Sequence, residues 1–560
     1  MSDHKKLDDP IQEIPALRPW PSKLFVETTT RCNLNCIMCV KQTWDRSTME
    51  GDMADETFAA LESAFPHLEA LILNGVGEPL LDQRLEEFVR RAKELMPEGS
   101  WVGFQSNGML LDEKRAVSLV EAGLDRICLS ADALNPDTFR KIRRGGEEQG
   151  VERAFSALHD ARIICNRPEV RIGLEFVLMR DNTRELPDLL RRAASLGASF
   201  AIVTHVLPYA QSSIPQTAFD SNMDAAVELF QSWSKKAASE GLDLGDYFKG
   251  LWKYMRTPTD RELAEFFMEL SASVYSTGSL DEVRRWIGSG LPSKQITIKS
   301  FTDTSQQVQK LIGEEGGWRD ALERIFKALE EAAAQGTCGI DRAEALVRSW
   351  RGNADGSGPD LVEYLKAIWK YSRTPREQRL YEMVEEMKAE ARSRGISLHL
   401  KNLMERDEEW AAEIERVFAK AKAVAAETGL ALTLPGTAPA GSRRCDFVEE
   451  GSAFVSWNGN VHPCYFLWHQ YGCHLFGRKK FVNAKIFGNV RERGILDIWN
   501  DPPFRTFREE VLRYDFPYCS NCNVVPCQYL MAEEFEQDCF GNTVPCGDCF
   551  WCMGMFNCMR

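Results

Sequence analysis

The chain has 560 residues, a formal net charge of −15 at pH 7, and 44% hydrophobic residues. This length exceeds that of a single core and predicts two to four domains. The acidic net charge argues against binding to a nucleic-acid backbone. No apolar run is long enough to span a membrane, and residues 1–10 lack the apolar core of a signal peptide. We therefore expect a cytoplasmic protein.

Strand-like and helix-like segments alternate along the first two hundred residues. Between the strand candidates lie amphipathic stretches such as 82–96, 112–122 and 186–196. The candidate strands are residues 24–29, 70–74, 101–105, 126–130, 170–178 and 200–206. Six β/α units with short connections predict an α/β fold, a partial (β/α)6 TIM-like barrel with a parallel sheet and helices outside it. Functional residues are then expected at the carboxyl ends of the strands.

Three cysteines follow the first predicted strand in the pattern Cys-x3-Cys-x2-Cys, namely Cys32, Cys36 and Cys39. Three thiolates on one loop can hold three irons of a four-iron cluster, and such a cluster normally takes four thiolates. The fourth iron would then be open to a small molecule. Half of a zinc site or a redox trio is the alternative, but the position after the first strand favours the cluster.

The next three strands also end in polar or glycine-rich turns. Glycines let backbone approach a ligand, a carboxylate can receive an ammonium group, and a small polar residue beside a carboxylate can bind ribose hydroxyls. Ordinary turn chemistry is the alternative for the serine and asparagine positions. The candidate residues are Gly75, Gly77, Glu78 and Pro79 after the second strand, Ser106 and Asn107 after the third, and Ser130 and Asp132 after the fourth.

Together the cysteine trio and the Gly75–Pro79 turn resemble the motifs of the radical S-adenosylmethionine (SAM) superfamily, although Val76 and Met38 depart from its usual pattern. The resemblance implies that SAM fills the open iron, that the Gly75–Pro79 turn contacts its methionine amino group, and that the serine, asparagine and aspartate positions contact its ribose. It further implies reductive cleavage of SAM to a 5′-deoxyadenosyl radical, with a low-potential electron donor such as ferredoxin or flavodoxin.

The middle of the chain contains an internal duplication. Residues 252–258 recur as residues 369–375 with six of seven positions identical, in a region that reads as mostly helical. This predicts two tandem helical modules, over residues 216–340 and 341–436. Their aromatic residues are expected to be core rather than a binding cage.

Eleven cysteines lie from Cys445 onward. The spacing Cys-x13-Gly-x4-Cys over Cys445 and Cys464 resembles the SPASM domain of radical SAM maturases. The resemblance implies two auxiliary four-iron clusters. The second half departs from that family's pattern and leaves the partition of the cysteines open, and zinc knuckles are the alternative. The candidate ligands are Cys445, Cys464, Cys519, Cys522, Cys527, Cys539 and Cys549, whereas Cys473, Cys546, Cys552 and Cys558 are not included.

The predicted organisation is an N-terminal tail (1–20), a radical SAM barrel (21–215), the two helical modules (216–340 and 341–436) and a SPASM-like domain (437–560). The C-terminal runs 454–457, 463–469 and 545–552 resemble the maturases paired with tungsten-containing aldehyde ferredoxin oxidoreductases. This resemblance implies a radical SAM oxidoreductase or maturase whose substrate is a tungsten–pterin oxidoreductase or its cofactor.

Two alternatives remain at this point. A ribosomal peptide maturase that crosslinks or oxidises a precursor is the first, although only a short stretch precedes Cys32 where many such enzymes carry a peptide-grasping domain. A non-catalytic iron–sulfur scaffold that transfers electrons is the second. The candidate SAM residues Glu78 and Asp132 argue against the scaffold, because it has no need of a SAM pocket.

Overall fold

The computed structural model describes residues 14–44, 50–247, 375–396, 398–476, 478–517, 519, 522 and 535–559. The chain divides into two compact units, Met1–Val227 with Ile396–Arg560, and Glu228–Gly395. The two copies of the repeated motif, apart from Pro375, lie outside the described residues, as does Cys527. The tandem duplication therefore stays a prediction.

One sheet of ten strands organises the first unit, in the order β12-β9-β8-β1-β2-β3-β4-β5-β6-β7. All neighbours from β8 through β7 in this order pair in parallel, whereas β9 and β12 pair antiparallel. The strands are β1 Lys23–Val26, β2 Ala70–Ile72, β3 Trp101–Ser106, β4 Arg126–Ser130, β5 Arg171–Leu178, β6 Phe200–His205, β7 Ala431–Thr433, β8 Ser452–Val455, β9 Asn460–His462 and β12 Gly488–Asn489; β10 Tyr471–Leu475 and β11 Arg478–Val482 form a separate antiparallel hairpin. The predicted α/β fold, with all six candidate strands in one parallel sheet, is confirmed.

Helices connect the parallel strands and bury their apolar faces. In α2 the buried positions Leu85, Phe88, Val89 and Ala92 recur at helical spacing, which places one face on the core. The helices are α1 Asp55–Ala59, α2 Leu85–Leu95, α3 Glu113–Glu121, α4 Pro136–Ile142, α5 Glu148–Ile164, α6 Leu186–Ser195, α7 Asp224–Ser239, α8 Pro375–Ser393, α9 Leu400–Met404, α10 Glu408–Thr428, α11 Asp446–Glu449, α12 Ile495–Asn500 and α13 Pro502–Val511.

Residues from the far end of the chain extend the sheet at β1. Strand β8 pairs with β1 in parallel, with Phe25 opposite Phe454. The ring of Phe25 stacks on Phe447 at 4.6 Å and meets Tyr465 edge-on at 5.1 Å. Each such buried aromatic contributes about 1.5–3 kcal/mol through removal from water. The C-terminal segment and the sheet therefore share one hydrophobic core.

The second unit is described by two helical segments. Trp233 is buried on α7 and its Nε1–H donates to a carboxylate oxygen of Glu390 on α8 at 2.9 Å. Arg379 of α8 forms an ion pair with Glu240 at 2.8 Å. The aromatic side chain thus packs between helices with its polar atom satisfied, as a core residue does.

In the described part of the chain, none of the helices combines the length and the apolarity that a membrane crossing requires.

His205 at the end of β6 gives a prediction for the acid stability of the fold. The ring is 2% exposed, its Nε2 bonds the Gly436 carbonyl oxygen at 2.8 Å, and burial lowers its pKa to about 4. An unfolded histidine titrates near 6.5, so the unfolded state binds the proton first and stability falls as pH drops from about 6.5 to about 4. In His205→Gln this loss, at most about 1.4 kcal/mol per pH unit, should disappear.

The measurement is the thermal midpoint of wild type and variant at pH 7.5, 6 and 5. We expect the thermal midpoint of the wild type to fall more steeply than that of His205→Gln as the pH is lowered. Parallel curves for the two proteins would contradict this assignment.

Candidate functional site

The cysteine trio lies in the loop that follows β1. Cys32, Cys36 and Cys39 are all partly exposed. The loop is bound to the turn after α4, because the amides of Asn35 and Ile37 donate to the carbonyl oxygens of Arg144 at 2.9 Å and Ile142 at 3.0 Å. Negative charge on Cys32 or Cys39 raises the pKa of Cys36. The three sulfurs are therefore near enough to one another to interact electrostatically.

Burial raises the pKa of all three thiols, that of Cys36 to about 11. The guanidinium of Arg143 opposes this rise at each of them. A bound metal centre would add the positive charge that a buried thiolate group needs. The donor set and its environment therefore fit a thiolate-ligated cluster.

No group of three or more His, Cys, Asp or Glu within the described ranges is arranged to hold a metal ion. A mononuclear zinc site needs its ligand atoms about 2.0–2.3 Å from one point. The thiolates of a four-iron cluster bind separate irons. The absence of such a group among the described residues therefore bears on sites for a single metal ion and not on a four-iron cluster.

The turn after β2 packs directly on the chain that leads into the trio. A Cβ at Gly77 would lie 2.3 Å from the Thr29 carbonyl oxygen, and one at Gly75 would lie 2.3 Å from Cγ of Glu27. The Glu78 amide donates to the Arg31 carbonyl oxygen at 2.7 Å. These glycines are required by the close approach of the chain between Glu27 and Arg31. The approach of a ligand to the same glycines stays a prediction.

Glu78 joins the ends of β2 and β3. Its carboxylate is 2% exposed and accepts from the Ser106 hydroxyl at 2.8 Å, the Asn107 amide at 2.8 Å and the Leu80 amide at 3.1 Å. Burial raises its pKa, and these hydrogen bonds oppose the rise. The side-chain amide of Asn107 also donates to Asn33, beside Cys32, at 2.8 Å. The structure thus brings three candidate residues together around the cysteine loop, and their contacts with SAM stay predictions.

Asp132 after β4 is fully buried and pairs with Arg143, Nε to Oδ2, at 2.7 Å. Its other oxygen accepts the Val177 amide at 2.7 Å. Ser130 donates instead to Glu175 on β5 at 3.2 Å. Both carboxylates have raised pKa values because of burial, and Arg143 opposes each rise.

Sequence reasoning missed Arg143 and Glu175. The available signals were an Arg-Arg-Gly-Gly run (143–146) directly after a predicted helix, and a charged residue in the middle of an otherwise apolar strand.

Glu27, directly after β1, was also missed. Its buried carboxylate accepts the Val76 amide at 2.9 Å and the Trp457 amide at 3.3 Å, and His469 Nε2 lies 3.0 Å from it. The ring of His469 in turn meets Trp44, five residues after Cys39, at 5.5 Å. One carboxylate therefore ties the glycine turn and the C-terminal segment to the end of β1.

Five C-terminal cysteines lie together. The charges of Cys445, Cys546 and Cys549 act on Cys464, and the Cys552 thiol is in hydrogen-bond contact with Cys445, Cys546 and Cys549. We call these residues the five-cysteine group. Cys546 and Cys552 are not among the ligands predicted from the sequence, and the structure places both in this group.

The other C-terminal candidates differ in exposure. Cys519 is buried, Cys522 is partly exposed and Cys539 is exposed. Cys473 is buried on β10, and Cys527 lies outside the described residues. A second cluster on Cys519, Cys522, Cys527 and Cys539 stays a prediction.

Two family models match the chain. Residues 26–193 match the radical SAM superfamily, and residues 445–523 match SPASM, an iron–sulfur cluster-binding domain. These ranges contain the trio loop with the candidate SAM residues, and the first two members of the five-cysteine group.

The chain is 22% identical over 537 residues to the tungsten-containing aldehyde ferredoxin oxidoreductase cofactor-modifying protein of Pyrococcus furiosus, with 94% of each chain covered. It is 34% identical to the GTP 3′,8-cyclase of Pelotomaculum thermopropionicum over 25% of this chain and 42% of that protein. Among solved structures, Streptococcus suis SuiB bound to S-adenosylmethionine has a TM-score of 0.31 at 13% identity, over 38% of this chain and 46% of that chain.

The close approach at Gly77 predicts the effect of a single methyl group. In Gly77→Ala the new Cβ must push the turn away from the Thr29 and Arg31 carbonyl oxygens, which should lower the free energy of unfolding by about 1–3 kcal/mol and weaken SAM binding. Gly472→Ala is the matched control, because its nearest neighbour is 4.0 Å away. Thermal midpoints and SAM titrations of both variants check this prediction. Equal thermal midpoints and equal SAM affinities in the two variants would contradict it.

Proposed function

Because the chain is a radical SAM enzyme that carries a SPASM domain, we propose that it cleaves SAM reductively at the cysteine trio and thereby modifies the cofactor of a tungsten-containing oxidoreductase. The observation that carries the first part is the bonding of the trio loop to the Gly75–Pro79 turn and to Glu78. The likeness to the Pyrococcus furiosus cofactor-modifying protein, over 94% of both chains, supports the second part.

Cys32, Cys36 and Cys39 would hold a four-iron cluster with one open iron, which when bound supplies the electron that splits SAM into methionine and a 5′-deoxyadenosyl radical. The tasks of the chain are to keep the three sulfurs as thiolates and to hold the turn that receives SAM. Glu78 and Glu27 perform the second task, since each fixes a strand end to a neighbouring loop.

Arg143 contributes to the first task by opposing the rise in pKa that burial causes at each thiol. It is the cation that acts on all three thiols, and its side chain is 8% exposed. Because the pKa of Arg143 is raised by the surrounding acids, it stays charged at any pH at which the protein is folded. Its pairing with Asp132 fixes the position of this charge, and breaking a buried pair of this kind costs about 3–5 kcal/mol.

A chain of hydrogen-bonded polar side chains lies beside this charge. Asn74 donates to the Tyr465 hydroxyl at 3.0 Å and to Gln105, and Gln105 in turn bonds Glu175. Glu175 and Gln105 both keep part of their surface accessible. These groups come from β2, β3, β5 and the C-terminal segment, and they can orient a polar substrate next to the trio.

The first test of the function compares two cysteine variants. Anaerobically reconstituted protein should form 5′-deoxyadenosine from SAM with dithionite as reductant, and Cys36→Ala should lose this product because a cluster ligand is gone. Cys165→Ala is the control, since its thiol bonds the Val117 carbonyl oxygen outside the trio. Product formed by Cys36→Ala at the wild-type rate would contradict the proposal. Stimulation of turnover by a tungsten oxidoreductase, and not by a cysteine-rich precursor peptide, would support the proposed substrate.

The second test concerns the five-cysteine group, which we propose holds one auxiliary cluster. Replacing Cys546 and Cys552 by serine should alter the electron paramagnetic resonance (EPR) signal of the reduced auxiliary cluster, because at most three thiolates of the group remain. Dithionite-driven SAM cleavage at the trio should persist. An unchanged auxiliary signal in the double variant would show that neither residue is a ligand.

A further inference from the structure

One stretch of the C-terminal segment, residues 451–491, has a charge opposite to that of the whole chain. Residues 451–491 contain no Asp or Glu and carry Arg478, Lys479, Lys480, Lys485 and Arg491, in a protein of net charge −15. The basic residues gather on and after β11, the outer strand of the β10–β11 hairpin. An acidic partner that the protein as a whole repels would therefore be attracted here.

The outward side of β11 combines these charges with apolar surface. Lys479 and Phe481 are exposed while Lys480 and Val482 are buried, as the alternation of a strand requires. Phe481 is 38% exposed with Lys479 Nζ 4.6 Å from its ring centre. Lys485 is exposed just beyond the strand, next to Ile486, which is 50% exposed. We call Lys479, Phe481, Lys485 and Ile486 the basic face.

The inward side of the same strand reaches the five-cysteine group. The ammonium of Lys480 contacts both carboxylate oxygens of Asp548 at 2.8 Å, and both residues are buried. Asp548 stands between Cys546 and Cys549. The basic face is therefore separated from the cysteine turn by one strand and one ion pair.

We propose that the basic face docks an acidic, low-potential electron-transfer protein of the flavodoxin or ferredoxin class, which passes one electron to the cluster of the five-cysteine group. This inference rests on the proposed function, since that cluster must be present to accept the electron. The donor is oxidised by one electron and the cluster of the five-cysteine group is reduced by one. That cluster would return to its oxidised state by passing the electron to the cluster of the trio, where each SAM cleavage consumes one electron. Two exposed apolar side chains framed by lysines suit the small, transient and salt-sensitive interfaces of redox partners.

The test reverses the two exposed lysines of the face in the full-length protein. In the double variant Lys479→Glu with Lys485→Glu, the Kd for a bacterial flavodoxin at low ionic strength should rise by about tenfold or more. Added salt should also raise the Kd of the wild-type protein, because it screens the same charges. Lys114→Glu with Lys422→Glu is the matched control, because these exposed lysines lie on α3 and α10. Flavodoxin-driven formation of 5′-deoxyadenosine should fall in parallel with binding.

Dithionite separates this inference from the proposed function, because a small reductant needs no docking surface. Dithionite-driven cleavage equal in wild type and variant, with only the flavodoxin-driven rate reduced, supports the basic face as the docking site. Equal Kd and equal flavodoxin-driven rates in all three proteins would overturn it. Absence of any cleavage with dithionite would overturn the proposed function, whereas the Kd comparison would still decide whether the face binds flavodoxin.

Discussion

The buried carboxylate of Glu27 is the interaction on which the arrangement of the site depends. It stands at the end of β1, immediately before the loop that carries the trio, and it accepts hydrogen bonds from Val76 of the glycine turn and Trp457 of the C-terminal segment. A buried carboxylate without such partners would be costly, so the three segments can meet only in this register. The trio, the turn and the SPASM segment therefore share one fixed reference point.

Charge balance sets the second level of organisation. Glu78 and Asp132 are buried acids whose charges act on Cys32 and Cys36, whereas Glu175 keeps part of its surface accessible. The guanidinium of Arg143 opposes the rise in pKa at all three carboxylates. Protein interiors strengthen such interactions because they are poorly screened by water. A positively charged centre bound by the trio would act in the same direction as Arg143 and oppose the rise in pKa at the three thiols.

The sequence predicted the features that depend on local patterns. Alternating hydrophobic periods identified the six parallel strands, and the spacing of Cys32, Cys36 and Cys39 identified the loop that carries them. Contacts between distant segments left no local signal, so the pairing of β8 with β1 and the partners of Glu27 and Arg143 were not foreseen. Cys546 and Cys552 are not among the ligands predicted from the sequence, because folding brings them beside Cys445, about one hundred positions earlier.

The parallel pairing of β1 with β8 has a consequence for biosynthesis. Residues 23–26 leave the ribosome early, but their partners at 452–455 follow more than four hundred residues later. At about 5–20 residues per second, one edge of the nascent sheet waits for tens of seconds without its neighbour. Such an open edge is a template for misassociation until β8 has been synthesised and pairs with it.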